Sequence, residues 1–294
     1  RSPAAGCVCV SCRSSFFGIF FYFSLHFAVV KRFLRIGKNF TNVSRRKASR
    51  LLTQNRGGRN KTLRAAYNNV VEWIVSECLR NSAYLTYLYN AVSGCVKEGR
   101  AELSFADGRA CCRIFSKEDI LPVLLERMTE IVGVGYKYRF LDARVRVCLP
   151  RREKGLLLSA LIAADLEVDR EYILPRLVSE REFCIDGMYH FRMAALREKW
   201  QRIASYIPES FSGRDLKNFS GFLVHESRRT VYLQGQSVFR EDFSPLRLSR
   251  LTGEESAERE IMLADAGYVK CLGTVSERMG EFLQKYYPER AVFS

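Results

Sequence analysis

Six apolar residues between Tyr189 and Ile207 recur at steps of three and four, and this stripe constrains the fold more than any other stretch. They are Tyr189, Met193, Leu196, Trp200, Ile203 and Ile207. Such steps keep all the side chains on one side of an α-helix. The residues just before it, Phe183–Ile185, form a short apolar segment, and Asp186-Gly187 is typical of a turn. We therefore predict a helix that begins after Gly187 and lies at the centre of the fold.

The first turn of this helix carries the candidate functional residues. At 100° per residue, Arg192 lies about 60° from Tyr189 around the helix axis, and Phe191 lies almost opposite Tyr189. Either the turn is covered on two sides or Phe191 is exposed. Arg192 is placed to pair with Asp186, to hold an anion, or to close a buried turn. His190 follows Asp186 by four residues, a spacing that suits an intrahelical pair or a capping pair between them.

The positive charge of the chain is concentrated at its start. Residues 1–71 contain fourteen Lys and Arg and no acidic residue, although the whole chain has a net charge of +15. The remaining 33 basic residues stand against all 32 acidic residues, so residues 72–294 are nearly neutral. The segment Lys31–Arg64 reads as a basic arm that would attract nucleic acid or anionic lipid, or as a solvated tail with no partner.

An uncharged apolar run occupies residues 16–30, ahead of this arm. Fifteen helical residues span about 22 Å, which is shorter than the roughly 30 Å hydrocarbon core of a bilayer. No methionine precedes Met128. We expect residues 1–58 to be either translated upstream sequence or a membrane-proximal segment, with a cleaved signal peptide a poorer fit because no cleavage site follows.

From Thr62 onwards the pattern is that of a folded domain. Helical spacing runs from Leu63 to Leu79, and further helices are predicted up to Tyr286. One of them ends at Gly133 and Gly135. Turn residues at Asp107-Gly108 and at Gly235 predict two small β-hairpins. The predicted fold class is mainly α (α+β): a multi-helix globular domain over residues 62–294 with two hairpins, preceded by an apolar and then basic leader over residues 1–61.

Residues that could carry catalysis do not form a familiar motif. His26, His190 and His225 are the three histidines, and no GxSxG sequence accompanies them. His225 lies near the end of a predicted helix, where an imidazolium would favour the helix dipole. The ten cysteines show no paired CxxC or Cys/His spacing suited to zinc, and reduced buried thiols are the favoured interpretation. We therefore expect no metal, no cofactor and no enzymatic activity.

The segment Ile185–Met193 resembles the YtxC-like sporulation proteins of endospore-forming bacteria. The matching residues are an acidic residue and glycine, Asp186-Gly187, followed by Phe191-Arg192 at the opening of a long helix. The ending Tyr286–Ser294 is similar to the end of that family, although the family's terminal histidine is missing. The resemblance covers residues 62–294 and implies a cytosolic role in sporulation without an established activity.

Three hypotheses for function follow from these features. The first is a non-enzymatic cytoplasmic protein that binds a protein partner during spore formation. The second is a protein that binds nucleic acid or a membrane surface through the Lys31–Arg64 arm, in which case its binding should weaken steeply with salt. The third, a hydrolase, requires His190 or His225 to meet a serine or a carboxylate in space.

Overall fold

Both predicted hairpins form, and their turns explain why. The computed structural model describes residues 70–177 and 182–294. Asp107 and Gly108 both have positive φ, 49° and 72°, which is the backbone of a two-residue hairpin turn that matches strand twist. Gly235, with φ 59°, closes the second hairpin. The leader, the apolar run at residues 16–30, the Lys31–Arg64 arm and the domain start at Thr62 lie outside the described residues.

The predicted multi-helix globular domain is confirmed in part, but the two hairpins are not isolated and belong to larger sheets. The strands are β1 (Val71–Cys78), β2 (Gly99–Ala106), β3 (Arg109–Ser116), β4 (Glu182–Cys184), β5 (Arg229–Gln234), β6 (Ser237–Phe239), β7 (Ala266–Cys271) and β8 (Ala291–Phe293). They form two mixed four-stranded sheets with the orders β2-β3-β1-β4 and β6-β5-β7-β8. The β1–β4, β5–β7 and β7–β8 pairs are parallel. The fold is an α/β globular domain.

The described residues also form ten α-helical segments. In chain order they are α1 (Ser82–Ser93), α2 (Leu121–Glu130), α3 (Lys137–Asp142), α4 (Arg151–Ala163), α5 (Leu166–Leu177), α6 (Ile185–Arg192), α7 (Ala194–Ser205), α8 (Gly213–Glu226), α9 (Ala257–Leu263) and α10 (Glu277–Tyr286).

Strand β1 replaces the second half of the helix predicted over Leu63–Leu79. Its buried residues alternate as Trp73, Val75 and Glu77, which is the period of a strand and not of a helix. In the sequence, the neighbouring apolar residues of this segment fit both the period of a helix and the period of a strand. The β-branched residues of this segment favour an extended backbone, and β3 and β4 pair with β1 on its two edges.

The predicted helix end at Gly133 and Gly135 is also wrong. The chain continues from α2 through a π-helical segment, Ile131–Tyr136, into α3. Both glycines are buried, and a Cβ atom on Gly135 would lie 2.8 Å from the Tyr84 ring. These glycines therefore allow close packing of helix against helix and do not end the helix.

The predicted central helix is two helices. It begins at Ile185, before Asp186-Gly187, and it breaks at Met193, where φ is −124° and ψ is 35°. The stripe itself is confirmed, since five of its members are buried and Ile203 is half-buried; the buried ones are Tyr189, Met193, Leu196, Trp200 and Ile207.

Helix α8 begins with a capping box. The Ser212 hydroxyl accepts a bond from the Asp215 backbone N–H, and the Asp215 carboxylate accepts one from the Ser212 N–H. Replacing Ser212 with alanine removes one of these bonds, so we expect a loss of about 1 kcal/mol in the free energy of unfolding. Urea denaturation measures this change. Ser205→Ala, at the exposed end of α7, is the control and should change stability by less than about 0.5 kcal/mol. An equal loss in both variants would contradict the capping role.

Candidate functional site

Strand pairing places the segment Ile185–Met193 at one corner of the first sheet. Strand β4 lies parallel to β1, with Cys184 beside Ser76. Helix α6 follows β4 directly, so its first turn lies at the end of β1, where Arg109 opens the neighbouring strand β3. This arrangement joins residues that are far apart in the chain.

Asp186 forms an ion pair with Arg109 at this corner. The Arg109 Nη2 atom lies 2.9 Å from Asp186 Oδ1, and Nη1 lies 3.3 Å from Oδ2. The Nη2 group also lies 3.2 Å from the Ser76 hydroxyl and 3.2 Å from the Cys184 sulfur. Burial alone would raise the pKa of Asp186, but hydrogen bonds from Arg109 and Cys184 hold it below its ordinary value.

Gly187 makes room for the sulfur atom of this cluster. A Cβ atom at Gly187 would lie 2.9 Å from Cys184 Sγ. The Cys184 sulfur in turn lies 3.2 Å from Asp186 Oδ1. A glycine at this position therefore lets the first turn of α6 approach the end of β4. The predicted turn at Asp186-Gly187 is wrong, because both residues are helical. Gly187 has a packing role instead.

His190, Phe191 and Arg192 point away from this cluster. All three are exposed, and Phe191 retains 89 % of its accessible surface. The predicted pairing of His190 or Arg192 with Asp186 is wrong, because Asp186 bonds Arg109. Arg192 Nη1 instead donates to the Arg176 carbonyl at 3.2 Å, and the His190 ring packs edge-on against Tyr189 with centroids 5.2 Å apart. The candidate site therefore divides into an inner pair, Asp186 and Gly187, and an exposed turn.

Arg197 holds the last turn of α6 in place through hydrogen bonds to its backbone. Its Nη1 group donates to the carbonyl oxygens of Tyr189 and His190 at 2.7 and 3.0 Å. These carbonyls belong to the last turn of α6, where the helix leaves acceptors without intrahelical partners. A guanidinium at a helix C-terminus also stabilises the helix dipole. The conformation that exposes Phe191 is thus held by specific bonds.

The histidines do not form a hydrolytic site within the described residues. The His225 Nδ1 atom lies 3.4 Å from Arg290 Nη2, and His225 stands in the last turn of α8, as predicted. His190 has Tyr189 as its ring neighbour. Neither histidine forms a hydrogen bond or an ion pair with a serine or a carboxylate in residues 70–177 and 182–294, so the required juxtaposition is not seen there.

A buried charge network forms a second polar cluster that the sequence patterns did not predict. Lys137 is fully buried and pairs with Asp165 and with Asp169, the latter at 2.8 Å. Lys199 lies 2.6 Å from each of the same two carboxylates. The Trp200 indole N–H donates to Asp169 Oδ2 at 2.9 Å. Positive and negative groups alternate in this network, so it stabilises the packing of α3, α5 and α7. The only signal in the sequence is an Asp-x-x-x-Asp spacing.

No family model, curated protein or solved structure matches this chain. Within residues 70–177 and 182–294, no helix has both the length and the apolar character needed to cross a bilayer.

Proposed function

We propose that this protein is a non-enzymatic cytoplasmic protein that acts through a protein partner during spore formation. The partner surface in this proposal is the exposed turn, defined here as residues 190–192. The observation that carries it is the exposure of Phe191, which is 89 % accessible on an ordered helical turn. The resemblance of Ile185–Met193 to the YtxC-like sporulation proteins supports the biological setting.

The chemistry of the exposed turn is that of an interface anchor. Aromatic and arginine side chains dominate the residues whose truncation costs most binding energy in protein interfaces. Here a phenylalanine stands between His190 and Arg192, and Arg176 and Arg197 lie beneath them. A partner that fits this turn has an apolar pocket for Phe191 and acidic groups at its rim.

The rigidity of the turn also supports a binding role. The bonds from Arg192 and Arg197 to backbone carbonyls hold the turn in place before a partner arrives. A pre-ordered anchor avoids part of the entropy cost of binding. The exposed Phe191 side chain contributes little to the free energy of unfolding. Its replacement should therefore weaken partner binding without destabilising the fold.

The test compares Phe191→Ser with Phe105→Ser in the native host, each introduced at the chromosomal gene. Phe105 is 53 % exposed on the edge strand β2, so it provides the same chemical change on another element. Loss of an interface anchor costs about 2 kcal/mol or more, or roughly 30-fold in affinity. We expect the Phe191→Ser strain to show the lowered spore yield of the deletion strain, and the Phe105→Ser strain to sporulate normally.

Protein levels in both strains are measured by immunoblot. Equal levels show that a lowered spore yield does not come from loss of the variant protein. Normal spore yield in the Phe191→Ser strain would contradict the proposed surface. Normal spore yield in the deletion strain would contradict the role in sporulation itself.

A further inference from the structure

Three metal-ligating side chains meet where β1 ends and α6 begins. Ligand atoms of Glu77, Cys78 and Asp186 all lie within 4.8 Å of one another. A second thiol, that of Cys184, lies 3.2 Å from Asp186 Oδ1. Both cysteines are free thiols and both are half-buried. The group therefore combines one sulfur donor with two carboxylates, and Cys184 adds a second thiol beside Asp186.

Glu77 is the most unusual member of the group because its carboxylate is fully buried. Its hydrogen bonds within the described residues come from neutral donors: the Cys78 backbone N–H at 3.0 Å, the Asn81 amide at 2.9 Å and the Tyr136 hydroxyl at 2.7 Å. Burial of a carboxylate is costly unless a cation compensates its charge. Asn81 and Tyr136 also fix the carboxylate in one orientation, as the outer hydrogen bonds of metal ligands do.

Arg109 is a cation that borders the group. Its Nη2 atom lies 2.9 Å from Asp186 Oδ1 and 3.2 Å from the Cys184 sulfur. The Arg109 side chain is 42 % exposed and can therefore turn towards solvent. A metal ion would compete with Arg109 for the Asp186 carboxylate. The ion pair between Arg109 and Asp186 therefore lowers the affinity for metal.

We propose that Glu77, Cys78 and Asp186 bind a divalent cation of the zinc type, with the Cys184 thiol close to Asp186. Zinc accepts sulfur and oxygen donors in four-coordinate sites, whereas magnesium and calcium require oxygen donors. Donors around a tetrahedral zinc ion lie about 3.3–3.8 Å apart, so drawing in the ligand atoms of Glu77, Cys78 and Asp186, which now lie within 4.8 Å of one another, requires shifts of about 1 Å. This inference does not depend on the proposed partner surface.

The test uses cobalt(II) as a spectroscopic substitute for zinc. The protein is the full chain carrying Cys7→Ser, Cys9→Ser and Cys12→Ser, because these three cysteines are closely spaced and could bind metal themselves. We expect this protein to bind one equivalent of cobalt with a thiolate-to-cobalt charge-transfer band, and zinc to displace the cobalt. Adding Cys78→Ser should weaken that band and lower the affinity at least about tenfold. Cys148→Ser, at an exposed position, should change neither.

Two further variants separate ligation from folding. Glu77→Gln keeps the shape of the side chain but removes its charge, and we expect at least about a tenfold loss of affinity while circular dichroism shows an intact fold. Arg109→Met removes the competing cation, so affinity should rise. Absence of the charge-transfer band, a band unchanged by Cys78→Ser, or lower affinity in a folded Arg109→Met variant would overturn the assignment.

Discussion

Replacing Asp169 with asparagine should lower the free energy of unfolding by about 3–5 kcal/mol, because the change leaves a fully buried lysine short of countercharge. Asp169 lies 2.8 Å from Lys137 and 2.6 Å from Lys199, and it accepts the Trp200 indole N–H. Asparagine preserves the volume and one acceptor but removes the charge. Asp165 would then be the one carboxylate of the network that faces two ammonium groups.

The matched control is Asp142→Asn. Asp142 pairs with Lys154 at 2.8 Å, but its side chain is 52 % exposed. Exposed pairs of this kind contribute about 0–1 kcal/mol, so the control should remain close to the wild type. Urea denaturation followed by circular dichroism measures both. A loss below about 1 kcal/mol for Asp169→Asn would contradict the assigned role of the buried network.

The same network predicts a pH dependence. Burial alone would raise the pKa of Asp169, but Lys137 and Lys199 bring it below its ordinary value. The corresponding stabilisation is present above the unfolded pKa, which is about 3.9, and is lost as pH falls through the folded pKa. The difference in stability between the wild type and Asp169→Asn should therefore narrow below about pH 4.

The second large effect is expected at Gly267 in β7. A Cβ atom there would lie 2.1 Å from the Ser227 carbonyl oxygen and 2.6 Å from its carbonyl carbon. Ser227 cannot move away freely, since its N–H donates to Leu223 and its hydroxyl donates to the Asp265 carbonyl. Gly267→Ala should therefore separate the end of α8 from β7 and cost about 3 kcal/mol or more.

Gly221→Ala is the control for Gly267→Ala. It tests whether the loss of stability is specific to position 267 or follows whenever a glycine is replaced by alanine. Gly221 lies inside α8, and nothing lies within 4 Å of its Cβ position. Alanine there should raise the free energy of unfolding by about 1 kcal/mol, through its better helix propensity. Equal effects in the two variants, measured by thermal unfolding, would contradict the close approach at Gly267.

Local signals in the sequence predicted local structure well. Asp107-Gly108 predicted the first hairpin because few residue pairs adopt two positive φ angles easily. The stripe from Tyr189 to Ile207 predicted which face of α6 and α7 is buried. Each of these signals depends on neighbours within a few residues.

Features that depend on distant partners could not be predicted. Ile74 and Val75 fit a helix or a strand until β3 and β4 are known to pair with β1. Asp186 was expected to meet His190 or Arg192, whereas its partner Arg109 lies 77 positions earlier. Glu77 meets Tyr136 across 59 positions. Spacing carries no information about such contacts, so Asp186 and Gly187 were found but the distant residues around them, Arg109 and Glu77, were missed.

Crosslinking from position 191 during spore formation tests the central proposal most directly. A photoreactive phenylalanine analogue is placed at Phe191 or at Phe105, and adducts are compared in sporulating and growing cells. We predict one adduct that forms from position 191 in sporulating cells, that is absent from position 105, and that Arg192→Glu weakens. Absence of an adduct from position 191, or the same adduct from both positions, would contradict a partner surface at this turn.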